Sequence, residues 1–358
     1  MFFYNSHVIA ADPETLEIGA KAPDFSLEGV DGKKYSLKSF ANAKLLVMIF
    51  TANHCPTAQA YEDRIIQLVK DYKDKGVQVI AVSPNDPESV RLDEMAWTDV
   101  GDTMEDMKIR TKDKNFNFPY LYDGENSKMS LSYGPVATPH VFIFDENRVL
   151  KYTGRIDDSE KPGTEKVHDT RNAIEALLAG KPVPVEKTKT FGCSVKWPDK
   201  KDYAKKAIDE WAKEPVTLEL IDVNGIKNLI KNESENLRLI NIWATWCGPC
   251  IIEFPDFVDI NRMYRNREFE FVAISADKPE NKDKALNFLK KKQASNINYL
   301  YNAPNMYDLI EAIDKNWQGA LPYTLLLSPG GKILYSKQGT IEPLELKKII
   351  VEQLGRIY

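Results

Sequence analysis

The strongest pattern along the chain is a set of short, unbroken apolar runs set between segments of helical spacing. Residues 44–51 read KLLVMIFT and residues 237–244 read LRLINIWA. Runs this short and this continuous suit strands buried on both faces. After the first, apolar positions Tyr61, Ile65, Leu68, Val69 and Tyr72 recur at helical spacing, predicting a helix over 60–75 that Gly76 stops. Further strands are predicted over 77–83, 141–145 and 149–154, with a helix near 166–179. Before the first run, Asp31-Gly32 sits between two short alternating segments, 24–27 and 34–37, and marks a hairpin turn.

The same order returns in the second half. After 237–244 the pattern predicts a helix over 250–265, kinked at Pro255, then a strand over 269–276 and a helix over 283–292. Strands over 323–328 and 333–337, turned by Pro329-Gly330-Gly331, precede a closing helix over 343–354. Strands alternating with helices imply an α/β sheet with helices on both faces. Residues 180–189, rich in Pro, Val and Lys, read as an extended connector, and residues 199–213 as a charged helix. The expected organisation is a first domain over 1–195, a helical linker over 196–214 and a second domain over 215–358.

Composition narrows the function. The 358 residues suit two domains of roughly 100–200 residues each. A net charge of −5 with both signs interspersed argues against nucleic acid as a partner. No run of about 18 apolar residues predicts a membrane span. Met1-Phe2-Phe3-Tyr4 and Val8-Ile9-Ala10-Ala11 read as a frayed terminus or as the stump of a signal peptide. The second reading places the protein in the periplasm or another extracytoplasmic space, with the cytoplasm as the alternative.

Four cysteines, Cys55, Cys193, Cys247 and Cys250, are too few for a stapled scaffold. Two of them form Trp246-Cys247-Gly248-Pro249-Cys250, directly after a strand and at the start of a helix. Residues i and i+3 there fall within the roughly 4.4–6.8 Å between Cα atoms that a disulfide requires. The first sulfur meets unpaired amides and the positive end of the helix dipole, which favour its anion. Lowering a thiol pKa from about 8.5 to about 7 raises the thiolate from a few per cent to about half at neutral pH. Cys247 is therefore the expected nucleophile and Cys250 the resolving thiol. Half of a zinc knuckle is the competing reading, but it needs a second ligand pair that the chain lacks. His7, His140 and His168 are isolated, so no metal is expected, and no cofactor beyond a redox-active disulfide.

Residues 240–250, Ile-Asn-Ile-Trp-Ala-Thr-Trp-Cys-Gly-Pro-Cys, with Glu253 and Pro255 following, resemble the TlpA/ResA type of thioredoxin-like thiol–disulfide oxidoreductase over about 216–358. The resemblance implies a thioredoxin fold, a cis-proline at Pro322 after Leu321 facing the dithiol, and docking of protein thiol or disulfide clients by backbone near that proline and by Trp246, Gly248 and Pro249. Asn241 stands where cytosolic thioredoxins carry a buried Asp, and a neutral amide cannot shuttle a proton. Glu253, one turn past Cys250, is the candidate substitute; the competing reading is a solvated surface Glu.

Phe50-Thr51-Ala52-Asn53-His54-Cys55-Pro56-Thr57 resembles the AhpC/TSA peroxiredoxin-like redoxins, in their Asn-His-Cys-Pro branch, over about 19–179. Pro56 suits the first helical position, so Cys55 meets the same helix-terminal field as Cys247. The resemblance implies a second thioredoxin fold, Thr138-Pro139 as its cis-proline pair, and a Cys55 that attacks peroxide. Some relatives carry Cys where Ala52 stands; this chain does not, so Cys55 has no local partner. Cys193, just after the extended connector, is the candidate to resolve it because the connector could fold back, with a buried inert thiol at Cys193 and a vestigial site at Cys55 as the alternatives. Peroxiredoxins also place an Arg after the cis-proline strand, where this chain offers Lys151, with Arg148 and Arg155 near it.

The whole reads as two tandem thioredoxin-fold domains, each a central mixed sheet with helices on both faces. The expected function is thiol–disulfide exchange at Cys247/Cys250, fed by an upstream dithiol donor and relayed to Cys55 and Cys193. Two alternatives stand beside it: a catalytically silent, client-binding first half, or a thiol peroxidase with a built-in reductase.

Overall fold

The computed structural model describes residues 13–303 and 305–356. The suspected signal-peptide stump and His7 lie outside the described residues. The chain divides into two compact units. One holds residues up to Val90 together with Val100–Ala204; the other holds Arg91–Asp99 and Lys205–Arg356.

In the first unit, the hairpin at Asp31-Gly32 joins β1 (Leu27–Gly29) to β2 (Lys34–Tyr35). Then come β3 (Leu45–Phe50), α1 (Pro56–Tyr72), β4 (Val77–Ser83), α2 (Met104–Lys114), β5 (Tyr120–Tyr122) and α3 (Lys128–Tyr133). The antiparallel pair β6 (His140–Phe144) and β7 (Leu150–Gly154) and helix α4 (Asp169–Leu178) complete it. Strand order is β2-β1-β5-β4-β3-β6-β7, with β3 parallel to β4 and antiparallel to β6.

The apolar run of β3 explains why helices flank both faces. Its side chains alternate, so Leu45, Val47 and Ile49 join Tyr61 and Ile65 of α1 and Ile174 of α4 in one core. Leu46, Met48 and Phe50 join Met129 and Tyr133 of α3 in the other. Helix α1 begins at Pro56, earlier than apolar spacing suggests, because Cys55 caps it. A tight turn over Lys73–Lys75 follows, and Gly76 closes it at φ +82°.

The linker helix α5 (Lys201–Trp211) leads to the second unit. There β8 (Glu219–Ile221), α6 (Val223–Lys231), β9 (Leu237–Trp243), α7 (Gly248–Tyr264), β10 (Phe269–Ser275), α8 (Lys282–Lys291), β11 (Ile297–Tyr301) and α9 (Met306–Ile313) follow in turn. β12 (Tyr323–Leu327), β13 (Ile333–Gln338) and α10 (Pro343–Leu354) end the unit. The sheet order is β13-β12-β9-β10-β11-β8, again mixed, since β9 is parallel to β10 and antiparallel to β12. Leu237, Leu239 and Trp243 pack with Phe254 and Phe257 of α7, whereas Ile240 and Ile242 pack with Ile226 of α6 and Leu309 of α9. The two tandem mixed sheets, each with helices on both faces, are the expected fold class.

The unit boundaries differ from the expected ones in two places. Residues 196–204 group with the first unit. Arg91–Asp99, which the chain order puts inside the first domain, groups with the second. The reason is specific contact: Leu92 and Met95 pack against the second unit's core. Arg267 stacks 3.8 Å over the Trp97 ring, and the Tyr264 hydroxyl donates to the Thr98 carbonyl at 2.8 Å. Helix α7 also continues through Pro255 to Tyr264.

Candidate active sites

The site in the second unit begins where β9 ends. The loop after Trp243 is held by the Asp277 carboxylate, which accepts from the Thr245 amide at 2.8 Å and the Thr245 hydroxyl at 2.7 Å. Cys247 then caps α7 with extended backbone, φ −91° and ψ 103°, and its sulfur accepts from the Cys250 amide at 3.3 Å. Gly248 and Pro249 form the first helical positions. Cys247 and Cys250 are joined as a disulfide with Cα atoms 5.3 Å apart. Both sulfur-bearing residues are buried, while Trp246 beside them is 66% exposed. The Leu321–Pro322 bond is cis, and Leu321 packs against the core cluster that contains both cysteines.

Glu253 is not a solvated surface residue. Strand alternation points Asn241 to the same face of β9 as Leu239 and Trp243, the face that α7 covers, so Asn241 and Glu253 meet out of water. Asn241 donates to Glu253 at 3.4 Å and to the Thr324 hydroxyl at 3.2 Å, and the Ile341 amide donates to Glu253 at 2.9 Å. Burial pushes the Glu253 carboxyl up to about 7, against the smaller opposing pull of the Ile341 and Asn241 hydrogen bonds.

The first unit repeats this plan around Cys55. Cys55 caps α1 with φ −77° and ψ 115°, and its sulfur accepts from the Ala58 amide at 3.4 Å. The thiol donates to the carbonyl of Thr138 at 3.2 Å, and the Thr138–Pro139 bond is cis. Cys55 has no exposed surface. Cys193 packs against it, and the two thiols hydrogen-bond. The Thr57 hydroxyl is turned to Glu160 at 2.9 Å, while the Thr57 amide faces Cys193.

Sequence reasoning passed over Asp102. This buried carboxylate accepts from the His54 ring at 2.5 Å, the Asn53 amide at 2.7 Å and the Asn85 side chain at 2.8 Å. Burial alone would push His54 down, but the Asp102 charge and hydrogen bond outweigh it and hold the imidazole above its usual range. Burial likewise favours neutral Asp102, and the His54 charge and converging donors overcome it. At Cys55, burial disfavours the thiolate. The Cys193 hydrogen bond and the His54 charge together outweigh burial and set the thiol below its ordinary range, while that same hydrogen bond pushes Cys193 up. A neighbouring Thr103–Asp106 capping box marks the start of α2, yet nothing local marks Asp102 itself.

The cations expected near Cys55 are engaged elsewhere. Arg148 donates to the carbonyls of Phe40, Ala43 and Asp145, Lys151 pairs with Asp145 at 3.3 Å, and Arg155 pairs with Asp169 at 2.8 Å. His140 is a satisfied core residue: the Val136 amide and the Thr153 hydroxyl bond its two ring nitrogens. Among the described residues no cluster of His, Cys, Asp and Glu could hold a metal ion, and no helix is long and apolar enough to cross a membrane.

Known proteins of similar sequence include "Thiol-disulfide oxidoreductase ResA" of Bacillus subtilis, 29% identical over 38% of this chain and 72% of that protein. ResA of Bacillus cereus is 30% identical over 41% of this chain and 83% of its own length. Among solved structures, an uncharacterized conserved protein from Geobacillus kaustophilus is 33% identical, with TM-score 0.46, over 52% of this chain and 95% of that one. The Redoxin pattern matches residues 17–174 and again residues 208–350, so it takes in Cys55 and the Cys247/Cys250 pair, while Cys193 lies between the two matches. The chain belongs to the Redoxin family, which it carries in two successive copies.

Proposed function

We propose that this thiol–disulfide oxidoreductase works through Cys247 and Cys250 and uses them to reduce a second redox pair, Cys55 and Cys193. The observation that carries the reading is the repeat of one arrangement: a cysteine capping a helix, a second sulfur beside it, and a cis-proline leading into the strand that pairs antiparallel with the cysteine's own strand. Cys247 attacks a client disulfide, forming a mixed disulfide and releasing one client thiolate. Cys250 then displaces the second client thiolate and closes the Cys247–Cys250 disulfide. Glu253, one turn beyond Cys250, takes the Cys250 proton. Trp246, Gly248, Pro249, Leu321 and Pro322 form the surface that docks the client; the exposed Trp246 ring supports this.

In the first unit, the Cys55 thiolate attacks a hydroperoxide, giving a Cys55 sulfenic acid and an alcohol or water. The Cys193 thiol condenses with it, releasing water and forming the Cys55–Cys193 disulfide. Cys247 and Cys250 reduce that bond and become oxidised in its place, and an upstream dithiol donor returns the two electrons. Tethering in one chain raises the effective concentration toward the millimolar range. The likeness to ResA, by its name a thiol-disulfide oxidoreductase, supports thiols and disulfides as the client chemistry; the proposed clients are proteins and the proposed setting is extracytoplasmic.

The test is a disulfide map after one equivalent of hydroperoxide. In a Cys247→Ser/Cys250→Ser chain, Cys55–Cys193 is expected to accumulate. In the unaltered reduced chain, the Cys247–Cys250 bond is expected instead. Re-reduction of Cys55–Cys193 by a Cys247→Ser chain at the normal rate overturns the relay. Absence of sulfenic acid or disulfide at Cys55 favours the second reading, a silent binding module, which the complete burial of Cys55 supports.

A further inference from the structure

The residues around Cys193 do more than supply a sulfur. Thr138 lies two residues before β6, past the stretch where that strand pairs with β3 and β7, and its carbonyl receives the Cys55 thiol. A residue past the paired part of its strand leaves an open edge, an amide and a carbonyl available to any chain that pairs with it, the usual route by which a polypeptide adds itself to a sheet. Here the place is taken. Thr138 and Cys193 form an antiparallel bridge, and the Thr138 amide donates to the Cys193 carbonyl at 2.9 Å.

The segment is fastened on both sides. Upstream, the Thr153 amide donates to the Glu186 carbonyl at 2.9 Å and the Thr188 amide to the Thr153 carbonyl at 3.1 Å. Phe191 packs into the core beside the Tyr61 ring. Downstream, the Asp86 amide donates to the Lys196 carbonyl, and the Lys196 amide donates to the Asn85 side chain, each at 2.9 Å. Gly192 lets the strap lie this close: its φ is +141°, and a Cβ there would stand 2.1 Å from the Thr138 carbonyl oxygen. Asn85 also bonds Asp102, so the strap and the carboxylate that orients His54 share one anchor.

We propose that residues 190–196 are a built-in occupant of the polypeptide-docking edge beside Cys55, so that this site reacts with small oxidants and with its own Cys193, and excludes protein disulfides. The inference rests on the redox reading of Cys55 and names its substrate class. A hydroperoxide needs only a local opening at the partly exposed Cys193. A polypeptide that pairs with Thr138 to reach Cys55 needs the whole strap to leave, whereas Cys247 in the relay needs only the partly exposed Cys193 sulfur.

The experiment isolates Cys55 as the sole thiol, using Cys193→Ala/Cys247→Ser/Cys250→Ser, which keeps the backbone pairing to Thr138. Two probes are compared: hydrogen peroxide, followed by sulfenic-acid trapping, and a short cysteine peptide carried as its thionitrobenzoate mixed disulfide, followed by release of the coloured thiolate. Gly192→Ala is then added to lift the strap by steric clash. The peptide reaction is expected to accelerate about tenfold or more, because overpacking strain shifts the opening equilibrium by at least that factor. The peroxide reaction is expected to change by less than about threefold, the span of side-chain-scale opening. Hydrogen exchange reports folding separately: the Thr138 amide loses protection while β3 keeps it. Phe191→Ala, which loosens the strap without a clash, is read in the same way. Equal peptide rates with the strap fastened and loosened overturn the proposal, even where the Cys55–Cys193 disulfide forms. Failure of that disulfide to form in the Cys247→Ser/Cys250→Ser chain, which keeps Cys193, would instead overturn the redox reading on which it rests.

Discussion

The Cys55 and Cys247 sites share a scaffold and differ in what covers it. Both cysteines cap a helix that follows a fully buried strand, and both sulfurs accept the amide three residues on. Both cis-prolines precede a strand paired antiparallel with the cysteine's own strand. At Cys247 the second sulfur lies one helical turn away, and the neighbouring Trp246 ring stands in solvent. At Cys55 the second sulfur arrives from a distant part of the chain, paired to the residue before the cis-proline. Leu321, which holds that place in the second unit, forms no such bridge among the described residues. One scaffold thus carries a dithiol beside an exposed Trp246 and, in the other unit, a cysteine without exposed surface whose second sulfur arrives on a paired strap.

The loops before the two cysteines are also held by unlike means. Asp277 accepts from hydroxyls and an amide, whereas Asp102 faces a buried imidazole whose charge it sustains. The largest expected effect breaks the comparison at its sulfurs. Cys247→Ser should lower reduction of an added protein disulfide by about a thousandfold or more, the usual cost of removing a nucleophile. Cys55→Ser should change the same rate by less than about twofold, within ordinary surface-mutation scatter. Comparable losses in the two variants, measured by insulin turbidity, would mean that both sites handle protein clients.

The next effect concerns the two carboxylates. Asp102→Asn leaves a buried imidazole without its counter-charge, which costs about 3–5 kcal/mol. Asp277→Asn weakens hydrogen bonds from neutral donors only, about 1–2 kcal/mol. Hydrogen exchange in β3 and β9 reads each cost in its own unit. In the same Asp102 variant the neutral His54 no longer supports the Cys55 thiolate, so the pH midpoint for alkylation at Cys55 should rise. An unmoved midpoint would reduce Asp102 to a loop fastener like Asp277.

What the sequence made legible follows from the range of the interactions involved. The β3 and β9 runs, the Cys-Gly-Pro-Cys motif and the Pro56 helix start are local patterns, and the fold class follows from them. Seven of the eleven residues of helix α2, MEDMKIRTKDK, are charged, so apolar spacing misses it although its Thr103–Asp106 box is local. β8, of three residues, is too short to show a period. Asp102 reaches His54 across 48 residues, and no spacing rule covers that distance. The sequence offers Cys193 only through a connector able to fold back; its register with Thr138 depends on Gly192, whose role appears only where a Cβ would strike a carbonyl. The Arg91–Asp99 segment departs from chain order for a related reason: chain order suggests neighbours, but Leu92, Met95 and Trp97 follow the apolar and cationic surface that fits them.

The smallest effect sharpens the comparison through Glu253, for which the Cys55 site has no counterpart among the described residues. Its carboxyl is pushed up from 4.5 to about 7 by burial. A carboxyl raised on folding contributes stability that is complete below its unfolded pKa and is lost as pH climbs through the folded value. The second unit should therefore lose stability between about pH 4.5 and 7, by at most about 3 kcal/mol. Glu253→Gln should remove that slope, because an uncharged amide keeps the Ile341 hydrogen bond at every pH. Kinetics give a second readout that a structural role alone would not move. If Glu253 accepts the Cys250 proton, its ionised form is the competent one, and the rate of client disulfide reduction should gain an inflection near pH 7. In Glu253→Gln that inflection should vanish, leaving only the rise set by Cys247 ionisation. A flattened stability curve with an unchanged rate–pH profile would leave Glu253 as a buried spacer between α7 and the loop at Ile341, and the proton would have to leave Cys250 by way of solvent.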